Sequence, residues 1–269
     1  QESITRARRL LEDEPALSTE EALLALEIGQ PIEAQRLIEE ASIQDMTSAT
    51  IPYVKGNIAC AFGRFNEARN YFDQALDEDP AHIRARLNRV SVLMALDRAE
   101  EALDDCENLL KIAPSLLLAR CRRAESKMLL AQWESAKEDL EYILEANQRH
   151  PHALTQLAAC EIALGKPEHA EAPLNEALRH DPNHAPAWHE RGLLYLEWGR
   201  EEAALADFIK AAKADEDHLD ARLHIAAIHH ENQNWENASE AWRSVLSLDP
   251  EHKIARKRFD EVELKISSS

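Results

Sequence analysis

The sequence is short of glycine, of aromatic residues and of paired cysteines. Only six glycines occur in 269 residues, and none sits in the Gly-rich loop that would cradle a phosphate. Aromatic residues make up 5%, so close packing must come from Ala and Leu. The four cysteines, Cys60, Cys106, Cys121 and Cys160, show no C-x2-C or other paired spacing. That gives no zinc framework and favours a reducing compartment, the cytoplasm, over a secreted setting. No apolar run approaches the ~20 residues needed to cross a bilayer. Cations are outnumbered, 31 Lys and Arg against 50 Asp and Glu, for a net charge of −19. This argues against a nucleic-acid ligand, which demands clustered cations, and it keeps a long surface soluble. No apolar leader is present, yet the chain begins with Gln1 rather than Met. A processed or excised chain is therefore expected, and a periplasmic or organelle-lumen location stays open if a leader was removed.

What remains is rich in Ala, Leu and Glu, with 30% of residues charged, the composition long helices need. It also repeats. The stretch from Ala185 to His218 carries Trp188, Gly192, Tyr195, Ala204, Phe208 and Ala211. A 34-residue frame laid from it in both directions starts at Pro15, Ala49, Ile83, Leu117, Pro151, Ala185 and Leu219, with no insertion. Gly29, Gly63, Gly165 and Gly199 share one place, a turn where a left-handed residue ends a helix. Gly56 and Gly192 share another, where two helices cross with no Cβ between them. Pro80, Pro114, Pro182 and Pro250 fall just after the second helix, where proline stops a helix without breaking one. Pro31 and Pro167 stand at the start of a second helix, a tolerated position, and Phe65, Trp133 and Trp235 hold the same place. Ala34, Ala68, Ala102, Ala136, Ala170, Ala204 and Ala238 hold the small position of the second helix throughout.

The spacing of Trp188, Gly192 and Tyr195 (W-x2-L-G-x2-Y), and of Ala204 and Phe208 (A-x3-F), resembles the tetratricopeptide repeat. Arg191 stands where that pattern has Leu, and Glu216 where it has Pro. The resemblance implies an all-α fold, an α-solenoid superhelix of seven 34-residue helix-turn-helix units at 15–48, 49–82, 83–116, 117–150, 151–184, 185–218 and 219–252. Residues 1–14, with Ile4, Ala7, Leu10 and Leu11, are expected to add a packing helix. Residues 253–269 are expected to form a capping helix with a disordered end at Ser267–Ser269. One unit buries too little apolar surface alone, so stacked neighbours supply the core. Two departures predict irregularities. Gln148 replaces the stop proline, which predicts a looser corner over Ala146–His152, and Pro173 inside a second helix predicts a bend.

No catalytic constellation emerges. His82, His184, His218 and His252 recur in the tight turn between units, too far apart to share one ion, and read as turn and helix-start residues. His224, His229 and His230 share a first helix without the four-residue spacing that aligns two imidazoles. A pH-sensitive patch is open there; a metal site is not expected. Cys60 and Cys121 fall toward the groove as inert thiols, and acid pairs such as Asp104 and Asp105 read as solvated neighbours. No enzyme activity, cofactor or metal is therefore expected. Arg89, Arg123 and Arg191 occupy one repeat place and are expected to pair with carboxylates of neighbouring helices.

By the family's geometry, five places on each first helix face the concave groove. In the second to fourth units they include Tyr53, Asn57, Leu87, Asn88, Met94, Leu118, Arg122 and Met128, an apolar strip with three hydrogen-bonding groups along it. Further on, His189, Glu197, His230 and Glu231 make a more polar wall. The resemblance thus implies a non-catalytic scaffold or adaptor. Its partner protein would present an amphipathic helix or extended segment with apolar anchors, and Arg122 would meet a carboxylate or carbonyl. A regulatory or substrate-recruiting module of a larger enzyme is one alternative. A co-chaperone is another: some family members clamp a chaperone's C-terminal carboxylate with two lysines, two asparagines and an arginine. Here Asn57, Asn88 and Arg122 match three of those five places, while Tyr53 and Leu118 replace the lysines, which weakens the grip.

Overall fold

The computed structural model describes residues 15–44 and 49–267; the expected helix of residues 1–14 lies outside them. Fifteen α-helices, one short 3-10 helix and no strand are found among the described residues. The first helices are α1 (Pro15–Glu27), α3 (Thr50–Ala61), α5 (Ile83–Ala95), α7 (Leu117–Leu129), α9 (Pro151–Ala163), α11 (Ala185–Glu197) and α13 (Leu219–Glu231). The second helices are α2 (Pro31–Gln44), α4 (Phe65–Glu78), α6 (Ala99–Ile112), α8 (Trp133–Ala146), α10 (Glu171–His180), α12 (Glu201–Ala214) and α14 (Trp235–Leu248), and α15 (Lys253–Ser267) follows. The chain falls into two compact bodies, residues 1–136 and 137–269.

Within the first body α4 packs on both α3 and α5, and α5 touches α3 and α7; within the second, α12 packs on both α11 and α13. The alanine rows make this close stacking possible. Ala34, Ala68, Ala102, Ala136, Ala170, Ala204 and Ala238 are fully buried, as are Ala85, Ala119, Ala153, Ala187 and Ala221 near the starts of first helices and Ala255 near the start of α15. Around them the first body buries Val54, Phe72, Val90 and Leu109, and the second buries Leu174, Leu194, Phe208, Val245 and Val262.

The turn inside each helix pair is a Schellman-type stop. Gly63 N–H donates to Cys60 O and Arg64 N–H to Ala59 O, both at 2.9 Å, with Gly63 at φ +70°. Asp97, Ala131 and Gln233 take the same place without being glycine, at φ +57°, +55° and +57°.

The junction between pairs is built by side chains. Asp79 Oδ1 accepts from Ala81 N–H at 3.0 Å, and His82 Nδ1 accepts from Ala85 N–H at 3.1 Å as the N-cap of α5. His218 and His252 cap α13 and α15 in the same way. His184 precedes α11 without a side-chain cap. The corner at Ala146–His152 is not looser. Asn147 Oδ1 accepts from Arg149 N–H at 3.1 Å and His150 Nδ1 from Ala153 N–H at 3.2 Å, so the same two devices hold it without a proline.

Pro173 does not bend a continuous helix. The first turn tightens into a 3-10 helix, Pro167–His169, and α10 begins only at Glu171. Pro173 then occupies the first turn of α10, where its missing N–H has no intrahelical role.

Two glycines face rings. A Cβ on Gly56 would stand 2.7 Å from Phe72 Cδ1, and one on Gly192 would stand 2.7 Å from Phe208 Cε1. Gly56→Ala should therefore destabilise by about 1–3 kcal/mol, and adding Phe72→Leu should recover part of that loss in thermal melts. Equal melting of Gly56→Ala and the parent would show that the ring can step aside. At the turns, Ala131→Gly should raise stability by up to about 1 kcal/mol, because it removes the left-handed strain of a Cβ.

Candidate partner-binding site

The expected site residues all lie in the first body, and the structure separates them by how much they expose. Leu118, near the start of α7, is 50% exposed. Leu87 and Met94 on α5 are half-buried against Val90, Leu93 and Leu109, and Met128 on α7 is also half-buried. Tyr53 is buried, its ring 4.9 Å from His82 and 6.3 Å from Phe72, so it serves the packing instead of lining an open face. The three polar groups have internal partners. Asn88 Nδ2 donates to Asn57 Oδ1 at 2.7 Å, and Arg122 Nη1 donates to Glu125 Oε2 at 2.8 Å. An i,i+3 carboxylate on the same helix is the nearest anion a guanidinium can find.

The repeated arginines divide into two jobs. Arg89 grips the buried Asp105 through both carboxylate oxygens, at 2.7 and 2.6 Å, and reaches Asp73 at 2.6 Å. Arg191 does the same to Asp207 at 2.7 and 2.9 Å and reaches Asn175. The expected pairing thus holds for these two residues, and Asp105 is not a solvated neighbour of Asp104.

The second job was not anticipated. Arg86 Nη2 donates to Pro80 O at 2.7 Å, and Arg120, Arg222 and Arg256 reach the carbonyl six residues back in the same manner. Trp188 Nε1 donates to Pro182 O at 2.8 Å from the matching place. Arginine therefore stands in for the indole as a staple across the junction. The six-residue interval from turn proline to donor was the available signal.

A histidine cluster, also unforeseen, lies in the second body. The His189 ring is 4.8 Å from His218, 5.5 Å from His224 and 5.6 Å from Phe208, and His224 stacks on Phe208 at 4.7 Å. His230 instead accepts from Trp242 Nε1. The thiols are quiet. Cys121 is buried instead of facing outward, and burial pushes Cys106 up to about 12 and Cys160 to about 11. Among the described residues no group of His, Cys, Asp or Glu is placed to hold a metal, and no helix is long and apolar enough to cross a membrane.

Sequence profiles of the tetratricopeptide repeat match residues 59–121, 128–191 and 185–218. A comparison with curated proteins finds no match. Among solved structures, a tetratricopeptide repeat protein from Parabacteroides merdae aligns with a TM-score of 0.77 over 93% of this chain and 98% of its own, at 21% identity. A chain of the APC/C Cut9–Hcn1 hetero-tetramer aligns at 0.74 with 15% identity, over 96% of this chain and 51% of that one. A thermophilic protein of the same repeat class from Thermus thermophilus aligns at 0.58 with 24% identity, over 68% and 99%. At such identities the likeness is one of fold.

The histidines should make this fold sensitive to mild acid. Burial, then His218 and His224, push His189 down to about 4 against the pull of Asp220; burial also lowers His150, His184, His224 and His230. Unfolded imidazoles titrate near ~6.5, so between that value and about 4 the unfolded chain binds more protons. Stability is therefore complete above ~6.5 and is lost as pH falls through the window. Melting temperature should decline from pH 6.5 to 4.5, and His189→Tyr should flatten the decline. Tyrosine suits the place because Tyr53 holds the matching position against His82. An acid limb of unchanged slope in His189→Tyr would assign the effect to other groups.

Proposed function

The chain belongs to the tetratricopeptide-repeat family, and from that premise we propose that it is a non-catalytic scaffold holding a segment of a partner protein against α3, α5 and α7. The observation that carries this is Leu118, half exposed on α7, with Leu87 and Met94 only partly covered on α5, the helix it touches. Apolar side chains left to solvent in a chain of net charge −19 support a recognition surface. Met94 and Met128 can adapt to varied anchors. The segment is an amphipathic helix or extended strand carrying Leu, Phe or Met. A partner carboxylate at Arg122 would have to displace Glu125, and the two asparagines already satisfy each other. Both facts weigh against the co-chaperone reading. Thiols raised far above neutrality support the non-catalytic assignment, and four cysteines without any paired spacing in the sequence support a cytoplasmic setting.

The test uses a peptide selected from a random library on the full-length chain and followed by fluorescence anisotropy. Leu87→Glu with Leu118→Glu should abolish binding while circular dichroism stays helical. Undiminished binding to a folded double variant would move the recognition surface elsewhere.

A further inference from the structure

The helix α15 has two faces of opposite character. Toward α14, on which it packs, it turns Ala255 and Val262, both fully buried. Phe259 lies half-buried on that side under the Arg243 guanidinium, and Glu263 accepts from Ser239. Away from it stand Ile254 and Leu264, 64% and 69% exposed, with Lys257 and Glu261 between them, 77% and 39% exposed. The steps from Ile254 to Lys257, Glu261 and Leu264 are three, four and three residues, the spacing that keeps side chains on one seam of a helix. The order is also symmetrical about Phe259. Five places out on each side is an apolar residue, and two places out is a charge, a cation before and an acid after.

We propose that this seam binds the same seam of a second copy, α15 against α15 in antiparallel order about a two-fold axis level with Phe259. The two-fold brings Ile254 of each copy to Leu264 of the other, and each Lys257 to the other's Glu261. Such a surface is self-complementary, as an isologous interface must be. A partner of unrelated sequence would not call for a seam symmetrical in this way. Glu261 has an oxygen left for the contact: its Oε2 accepts from Arg258 at 2.9 Å, while its Oε1 stands 3.9 Å from Lys257 of its own helix. Charge favours the same place. α15 carries five Lys and Arg against three Asp and Glu in a chain of net charge −19, so general repulsion between two copies is least there. The seam spans about 15 Å at ~1.5 Å per residue, so the interface is small and the association is weak and concentration-dependent. It uses no residue of the apolar strip on α3, α5 and α7 and does not depend on it.

The experiment is sedimentation equilibrium of the intact chain, from micromolar to millimolar concentration, at neutral pH and low salt. The parent should run as a monomer–dimer mixture that moves toward dimer as concentration rises. Ile254→Glu should weaken dimerisation by about tenfold or more. Lys257→Glu makes the seam acidic throughout and Glu261→Lys makes it basic throughout, so each alone should stay monomeric where the parent dimerises. Their equimolar mixture should dimerise again, because an acidic seam then faces a basic one. These positions are at least partly exposed, so melting temperatures should stay near the parent's. The Leu87→Glu, Leu118→Glu protein should dimerise as the parent does, so failure of the apolar strip would not be mistaken for failure here. A parent that stays monomeric throughout would leave the seam to a different partner and overturn the proposal. Undiminished association of all three single variants, or no association in the mixture of the two charge variants, would overturn it as well.

Discussion

The rest of the structure depends on one constraint, the complementary sizes of two side chains where the helices of a pair cross. Gly56 faces Phe72 and Gly192 faces Phe208, with no room for a Cβ. At the same places elsewhere the sizes trade. Ala22 is matched with Ile38 and Ala158 with Leu174, and Val90 goes with the small Cys106. All of these are buried to within 1%. Interiors pack at crystal density, so the summed volume is what the crossing fixes, and either partner can supply it. Ala226 with Trp242 is the largest pair, and there the indole spends its N–H on His230. On α15 the matching place is Asp260, exposed to solvent.

Polar groups are then fitted around the crossings. Asp105 and Asp207 are almost fully buried, which is tolerable only because Arg89 and Arg191 grip each through two hydrogen bonds. This explains why Arg191 can stand where the repeat pattern carries Leu: its stem packs, its head pairs with Asp207, and its guanidinium lies 4.8 Å over the Trp188 ring. Between helix pairs, Lys137 bonds Glu161 at 2.6 Å, Tyr195 bonds Glu171 at 3.0 Å and Ser239 bonds Glu263 at 2.5 Å. The same interval is thus bridged by three different chemistries. Each link is worth little alone, but together they join every such second helix to the next first helix.

Much of the fold was legible in the sequence because the 34-residue period fixes backbone geometry, and Gly63, Pro80 and Ala68 report backbone geometry directly. Where a side chain could replace a backbone signal, the reading failed. Asn147 and His150 rebuild the corner that lacks a proline, and a tightened first turn absorbs Pro173. The candidate site was less legible for a related reason. A frame says which way a side chain leaves the helix; it does not say what it meets. Asn57 meets Asn88, Arg122 meets Glu125, and Tyr53 meets His82, each removing a group from the expected open wall. The His189 cluster draws on three segments, and its members do not repeat at one place. Only the Tyr53–His82 pair, in the first body, hinted at its geometry.

The two bodies differ in how their polar and aromatic groups are spent. In the first body the polar groups close on one another, so what stays open is apolar, and burying a side chain such as Leu118 is worth about 1.5–3 kcal/mol. That term is non-directional and accepts Leu, Phe or Met alike. In the second body the matching crossing is closed: Phe208 is fully buried, with His224 stacked on it at 4.7 Å. Adaptable apolar contacts therefore supply adhesion where the polar groups are already paired, and the rings that fill the crossings are spent on the fold.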